Sequence, residues 1–142
     1  MLSMTAQYAL RALAELAKLP EEDSMLGKDL AAKAEIPANY LAKILLTLKN
    51  AGILGTARGS HGGYWLERGP ETIKLEEIVK LFDGSITPQP CILGERTDCN
   101  EKDPCAAHVR WSVIRKAYQD FLHETTVADI AIAPQTHVHT AR

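Results

Sequence analysis

A break at Glu35-Ile36-Pro37 between two segments of helical periodicity constrains the fold more than any other feature of the sequence. Residues 28–34 and 38–50 both carry apolar side chains at helical spacing, which predicts a short helix followed by a longer one. The residue before a proline disfavours helical geometry, so the two helices should meet at a tight turn. This arrangement is typical of a helix-turn-helix, although an ordinary helical hairpin has the same pattern.

The segment after the second helix favours the helix-turn-helix. ILGTA and GYWLE are strand-like runs separated by RGSHG, which predicts a β-hairpin with a glycine-rich, cationic tip. Gly59, Gly62 and Gly63 would permit the positive φ of that tip and a close backbone approach to a duplex. An amphipathic helix is predicted over residues 4–18, and TIKLEEIVKLFDGS predicts a further helix that ends at Gly84.

The predicted fold is mainly α with a small β-hairpin wing. We expect a winged helix-turn-helix DNA-binding domain over residues 1–84, a cysteine-bearing loop over 85–104, a dimerisation helix over 105–130 and a disordered tail over 131–142. The second helix of a helix-turn-helix enters the major groove, and a wing tip reaches phosphates or the minor groove. The candidate DNA-contacting residues are Lys28, Asn39, Tyr40, Lys43, Arg58, Ser60 and His61.

The predicted dimerisation helix begins with Asp103 as its N-cap and Pro104 at its first position. Along it, an aromatic and apolar stripe has spacings of three, four and three, namely Trp111, Ile114, Tyr118 and Phe121. The stripe is either an intramolecular core face or a dimer seam. We prefer the seam, because helix-turn-helix proteins usually need two copies to recognise paired half-sites.

The three cysteines of the chain lie close together, at Cys91, Cys99 and Cys105, and His108 follows three residues after the last. Cys105 would be the second residue of the predicted helix, where the dipole favours the thiolate that metals bind. His108 would lie one turn further along, on the same face. The cluster has no C-x₂₋₄-C pair, so its spacing favours an iron–sulfur cluster over structural zinc. A metal-free thiol switch and three unreactive cysteines are the alternatives.

Composition limits the class of protein. No apolar run approaches the ~20 residues that cross a bilayer, and the N-terminus lacks a secretory signal, so we expect a cytoplasmic protein without membrane contact. The chain carries a net charge of −2, but six cations oppose three anions from Leu26 to Arg68. No nucleophile–base pair, phosphate loop or acid pair is present, so we expect no enzyme. The rival functions are a thiol- or zinc-based regulator of the same fold, a small iron–sulfur redox protein, and a winged helix that binds only proteins.

Several stretches together resemble the IscR/NsrR (Rrf-two) family of bacterial winged-helix transcription regulators. They are YALRALAEL, IPANYLAKILLTLKNAGIL, ARGSHGGYWLERGPETIKLEEIV, and the cysteine loop followed by DPCAAHVRW. The resemblance implies a homodimer that binds a palindromic operator on double-stranded DNA. It also implies an iron–sulfur cluster, held by the three cysteines and a fourth ligand, that controls this binding and makes the protein a sensor of iron–sulfur status, redox state or nitric oxide.

The IscR branch of the family is the nearest match. Its fourth ligand is a histidine three residues after the last cysteine, the place of His108, which implies a 2Fe–2S cluster with 4Fe–4S as the alternative. The NsrR branch can use an N-terminal aspartate, but this chain has Tyr8 in that region and no acid. Two departures remain: the gap between Cys91 and Cys99 resembles that of iron-responsive members, and Ala42-Lys43 replaces an acidic residue of the IscR recognition helix. The resemblance therefore does not imply that this chain recognises the operator sequence of IscR.

Overall fold

The computed structural model describes residues 2–60, 62–94 and 100–131. In chain order the elements are α1 (Met4–Ala17), α2 (Gly27–Ala34), α3 (Ala38–Asn50), β1 (Leu54–Ala57), β2 (Gly63–Leu66), a 3₁₀ turn (Pro70–Thr72), α4 (Leu75–Asp83), α5 (His108–Glu124) and α6 (Val127–Ile130). The mainly helical architecture with one hairpin wing confirms the predicted fold class. No helix within these ranges is both long enough and apolar enough to cross a membrane.

The turn between α2 and α3 is tighter than the proline alone requires. Helix α2 ends at Ala34, and Glu35 adopts the left-handed conformation with φ 55°. The amide of Ile36 then donates to the carbonyl oxygen of Ala31 at 2.9 Å, which closes the end of the helix. Pro37 follows as the N-cap of α3, so the helix-turn-helix forms where the sequence predicts it.

The wing is an antiparallel hairpin that a third segment joins to the rest of the domain. Strand β1 pairs with β2 from Leu54↔Leu66 to Ala57↔Gly63. The chain before α2 adds two hydrogen bonds to β2, because the amide of Met25 donates to the carbonyl of Tyr64 at 3.0 Å and the amide of Tyr64 donates to the carbonyl of Met25 at 2.8 Å. These two bonds fix the base of the wing to the segment that precedes α2.

The glycines of the wing meet the predicted need for positive φ in two of three positions. Gly59 has φ 104° and Gly63 has φ 132°, whereas Gly62 is not in the positive-φ region. A Cβ atom on Gly63 would lie 2.5 Å from the carbonyl oxygen of Met25, and one on Gly62 would lie 2.5 Å from that of Ala57. The close approach that these two glycines permit is therefore to the protein's own backbone.

The C-terminal part departs from the predicted single helix over 105–130. Helix α5 begins at His108, not at Asp103-Pro104, and it ends at Glu124. Thr126 then caps the separate helix α6, since its side chain accepts from the amide of Asp129 while the Asp129 carboxylate accepts from the amide of Thr126. The carbonyl of Thr125 accepts from the amide of Leu75 at 2.9 Å, so tertiary pairing breaks the helix here.

One core joins both parts of the molecule. Leu122 of α5 and Val127 of α6 are fully buried together with side chains of the winged helix. The largest fully buried members from the winged helix are Leu13, Leu30, Leu41, Ile44, Leu45, Leu48, Ile53, Ile73, Ile78 and Val79. The end of α5 therefore packs on the same core that positions α3 and the wing.

Candidate functional site

Helix α3 presents a largely polar outer face because four of its apolar residues turn to the core. Leu41, Ile44, Leu45 and Leu48 are buried. Asn39 and Lys43, one turn apart, are exposed on the opposite side. Helix α3 thus has the form of a recognition helix, with an amide and a cation in positions that can reach base edges.

Tyr40, the third candidate on α3, has a second role that the sequence did not predict. Its ring is 51% exposed and makes an edge-to-face contact with Tyr8 of α1, with 6.1 Å between ring centroids. The guanidinium of Arg11 lies 5.4 Å from the centroid of the same Tyr8 ring. Tyr40 is therefore held from behind, and its exposed edge alone is available to a ligand.

Arg11 also binds the turn of the helix-turn-helix. Its Nη2 donates to the carbonyl oxygens of Ala34 and Glu35, the latter at 3.0 Å. These carbonyls belong to the last residue of α2 and to the left-handed residue that follows it. One side chain of α1 thus supports both the turn and, through Tyr8, the start of the recognition helix.

The wing and α2 carry the remaining candidates. Lys28, Arg58 and Ser60 are exposed, while His61 lies outside the described residues. Ser60 lines a surface cleft of about 470 Å³ whose other lining residues include three acids, Glu22, Asp23 and Asp29, and one cation, Lys33. Negative charge next to Ser60 disfavours a phosphate there. Arg58 is therefore the stronger candidate for a phosphate contact.

Arg68 belongs to the cationic segment by sequence, but the structure uses its charge internally. Its guanidinium forms a bidentate ion pair with the carboxylate of Glu77 in α4, with Nη1–Oε1 at 2.5 Å and Nη2–Oε2 at 3.1 Å. Its Nη2 also donates to the carbonyl oxygen of Thr72 at 2.9 Å. The hydrogen bond with Glu77 raises the pKa of Arg68 above its ordinary value. Arg68 fixes the end of the wing against α4 and is not available to DNA phosphates.

Among the predicted cluster ligands, Cys105 and His108 are brought together. The amide of His108 donates to the carbonyl of Cys105 at 3.0 Å, which closes a single turn immediately before α5. Both residues are half-buried. Cys105 therefore precedes the helix by three residues, and the predicted place for it as the second residue of the helix is wrong.

A turn stabilised by Asn100 lies upstream of this point. The side-chain oxygen of Asn100 accepts from the amides of Lys102 and Asp103, at 2.8 and 3.0 Å. Residues 100–107 are not helical, and α5 begins only at His108.

The segment that follows α4 and leads to Cys91 contacts α5. The indole Nε1 of Trp111 donates to the carbonyl of Gln89 at 3.0 Å, two residues before Cys91. The thiol of Cys91 is half-buried and accepts from the amide of Leu93 at 3.4 Å. Trp111 lies one turn after His108, so this contact connects the first cysteine to the start of α5.

The donor set fits an iron–sulfur cluster in its chemistry. Sulfur donors together with one imidazole occur in clusters where histidine replaces cysteine. Cys99, the remaining predicted ligand, lies outside the described residues. Within the described ranges, no three His, Cys, Asp or Glu side chains form a group that could hold a metal ion.

The predicted seam on α5 divides into two faces. Trp111 and Tyr118 are half-buried against the chain itself, and Tyr118 packs on the core. Desolvation, followed by the charge of Asp83, raises the pKa of the Tyr118 hydroxyl. Ile114 and Phe121 point away and are exposed by 51% and 53%.

The outward face of α5 extends further along the helix. Val109 and Val113 are exposed by 64% and 65%, which adds two apolar side chains on the exposed side. Beside it lies an apolar groove of about 410 Å³, lined by Leu2, by Leu10 and Arg11 of α1 and by Phe121 of α5. A helix with one unpartnered apolar stripe next to such a groove is typical of an interface.

Sequence reasoning missed three supporting residues and one exposed one. No sequence motif indicates the contacts through which Tyr8, Arg11 and Trp111 act. The three-residue spacing of Tyr8 and Arg11 on one helix face could have suggested that these two side chains interact. Leu46 lies on the outer face of α3, three residues after Lys43, and is 58% exposed. An apolar side chain there can contact a thymine methyl group in a major groove.

Comparison with known proteins gives one consistent result. Residues 2–133 match the family model Rrf2, described as iron-dependent transcriptional regulator. The HTH-type transcriptional regulator CymR of Bacillus subtilis is 30% identical over 130 residues, which cover 92% of this chain and 88% of CymR. The solved structure of CymR, the global cysteine regulator of B. subtilis, superposes with a TM-score of 0.74 at 30% identity and covers 92% of this chain and 95% of that one. The structure of T. potens IscR gives a TM-score of 0.67 at 25% identity, with 92% and 85% coverage.

Proposed function

The chain belongs to the Rrf2 family of transcriptional regulators, and from that premise we propose that it is a homodimeric repressor whose operator binding is controlled by an iron–sulfur cluster. The cluster ligands in this proposal are Cys91, Cys99, Cys105 and His108, and a 2Fe–2S cluster is expected. The observation that carries it is the concentration of every thiol of the chain, with one histidine, in the connection between α4 and α5. As an HTH-type regulator the protein binds DNA and is not an enzyme.

Base recognition in this proposal belongs to α3. Asn39 and Lys43 share its outer face and can donate to or accept from base edges, and Leu46 adds an apolar contact. Arg58 on the wing and Lys28 at the start of α2 would neutralise phosphates, which supplies affinity without sequence preference. Tyr40 would contribute through its exposed edge while Tyr8 holds its ring in place.

A homodimer would place two copies of α3 on one face of a palindromic operator. Half-sites one helical turn apart need recognition helices about 34–36 Å apart, which a single chain cannot supply. The exposed stripe on α5 and the adjacent groove support self-association through this helix. Because Arg11 lines the groove and also binds the helix-turn-helix turn, an interface there would be in direct contact with the DNA-binding element.

Control of DNA binding would come from how the ligands fix the start of α5. Binding by Cys91, Cys105 and His108 would hold the segment after α4 against the N-terminal end of α5. That end carries Val109 and Val113 of the proposed interface, so its position would affect the separation of the two α3 helices. A bound iron–sulfur cluster would react with oxygen and nitric oxide, and it would be lost when iron is scarce. Coupling of this kind is typically worth ~1–3 kcal/mol.

A thiol-based regulator is the second candidate. The relative CymR is named as a global cysteine regulator, and Cys91 and Cys105 are both half-buried, which leaves access to an oxidant or small thiol. In this case the winged helix and its DNA contacts keep their roles, and only the chemistry at the cysteines changes. A regulator that binds zinc at the same residues is the third candidate.

Anaerobic purification followed by visible absorption, iron and sulfide analysis tests the proposal. We expect brown protein with about two irons and two sulfides per chain. His108→Ala should change the spectrum, whereas the control His123→Ala should not, because His123 is on the same helix but bonds to Glu76. Colourless protein with stoichiometric zinc, or with neither metal, would overturn the cofactor assignment.

DNA binding by the same material tests the control step. Operator affinity should differ between cluster-containing protein and protein stripped of iron, and Cys99→Ala should abolish that difference. A Cys99→Ala protein with unchanged affinity and an unchanged response to iron removal would contradict the proposed control. Arg58 and α3 would remain as the DNA contacts in that event.

A further inference from the structure

The segment between α4 and Cys91 runs antiparallel along α5. The amide nitrogen Nε2 of Gln119 donates to Thr87 Oγ1 at 3.2 Å, and Trp111 Nε1 donates to the carbonyl of Gln89 at 3.0 Å. As the chain advances from 87 to 89, its partner on α5 moves back from 119 to 111. Cys91 follows two residues after Gln89, whose partner Trp111 lies three residues after His108, the first residue of α5.

The sequence of this segment suits such a path. Gln89 lies between Pro88 and Pro90, and residues before proline favour extended backbone. Proline also has no amide hydrogen, so the segment cannot pair with itself in regular structure. Ile86 packs against the core at its beginning. The segment is therefore anchored at one end and extended, with its carbonyl oxygens available to side chains of α5.

We propose that Trp111 is a positioning residue that, with Gln119, holds the segment 86–91 along α5 and thereby sets the place of Cys91 relative to Cys105 and His108. This latch, formed by the Trp111–Gln89 and Gln119–Thr87 hydrogen bonds, rests on the proposed function and specifies how one ligand is placed. Trp111 is not itself among the proposed ligands. Its contribution is to keep Cys91 near the start of α5 before a metal arrives, which lowers the entropy cost of bringing the donors together.

The test compares two identical substitutions. Trp111→Phe keeps an aromatic ring and removes the Nε1 donor. Trp65→Phe is the matched control, because Trp65 Nε1 also makes one 3.0 Å hydrogen bond, to Glu67 on the wing side of the molecule. Thr87→Val, in the exposed segment, removes the second bond of the latch without changing α5. Thermal unfolding of each variant checks that it folds.

Two readouts apply to these proteins. The first is the rate at which iodoacetamide alkylates Cys91 in reduced, metal-free protein, measured on the peptide that contains it. The second is the rate of colour loss when a chelator removes iron from the anaerobic protein. Loss of one typical hydrogen bond should accelerate both about two- to tenfold in Trp111→Phe and in the same direction in Thr87→Val. Trp65→Phe should match the wild type.

Equal Cys91 alkylation in Trp111→Phe and Trp65→Phe would overturn the latch. Faster alkylation with an unchanged rate of iron loss would overturn its role in placing a cluster ligand. Wild-type protein without iron would instead refute the proposed function, and the alkylation rates would still decide whether the latch exists. The two failures are therefore distinguishable.

Discussion

Gly63→Ala should detach the base of the wing, and the neighbouring glycines provide the controls. Gly63 has φ 132°, and a Cβ there would lie 2.5 Å from the carbonyl oxygen of Met25. Gly59 has φ 104°, but no atom of the described residues lies within 4 Å of its Cβ position. Gly62 lacks the positive φ but would place a Cβ 2.5 Å from the carbonyl of Ala57. Alanine substitutions at the three sites therefore separate the energetic cost of a positive φ from the cost of a steric contact.

The expected loss of stability follows from these differences. A positive φ on alanine costs about 1–3 kcal/mol, which is the whole expected effect at Gly59. At Gly63 the contact also forces Met25 away and endangers both of its hydrogen bonds to Tyr64, at about 0.5–1.5 kcal/mol each. Gly63→Ala should therefore cost about 2–6 kcal/mol in free energy of unfolding, a large part of the 5–15 kcal/mol typical of a domain.

Urea unfolding at equilibrium measures the free energies, and DNA titration measures the consequence for function. We expect Gly63→Ala to be less stable than Gly59→Ala by about 1–3 kcal/mol, the worth of the two hydrogen bonds. Because the wing base positions Arg58, Gly63→Ala should also bind DNA more weakly than Gly59→Ala when both are fully folded. Equal stabilities for the two variants, within about 0.5 kcal/mol, would refute the argument that the Met25 contact fixes the wing.

Three further outcomes are expected. Arg58→Ala should weaken binding to all duplexes and lower the slope of log K against log salt by about one; an effect limited to one operator base would contradict a phosphate contact. Ile114→Glu should dissociate the proposed dimer in sedimentation experiments without lowering the stability of the monomer, since Ile114 is exposed in the single chain; an unchanged mass would place the interface elsewhere. The hydrogen bond from His123 lowers the pKa of Glu76, so its contribution to stability is present above pH 4.5, the ordinary value for a glutamate, and is lost as pH falls further. The stability difference between wild type and Glu76→Gln should shrink below that pH, and a constant difference would exclude the ion pair as its source.

The winged helix could be predicted almost residue by residue because its limits are encoded locally. Helix α3 runs from Ala38 to Asn50, as predicted, since Pro37 starts it and Gly52, at φ 77°, follows its end. The four buried residues of its inner face follow a helical period with no interruption. Where propensity, periodicity and turn residues agree, the sequence determines the element.

The start of α5 shows where local patterns mislead. Asp103-Pro104 has the composition of a helix start, yet the residues after it form a separate turn, closed by the bond from the His108 amide to the Cys105 carbonyl, and α5 begins only at His108. The stripe on α5 could not be assigned to one face from the sequence for a different reason. Its period is helical in either case, and only the tertiary contacts of Trp111 and Tyr118 decide which half of it turns inward.

The cysteines could be found from sequence because their residue type is rare, whereas the side chains that hold the helix-turn-helix turn and the segment before Cys91 could not. Arg11 acts by donating to the carbonyl of Glu35, and Trp111 acts by donating to the carbonyl of Gln89. Every residue carries a carbonyl oxygen, so nothing in the residue type marks which one will be used. Such contacts depend on how two elements pack, and that packing depends on the whole core. Side chains that bind a ligand are therefore accessible to motif reasoning, while side chains that position those ligands by binding backbone become visible only in the folded chain.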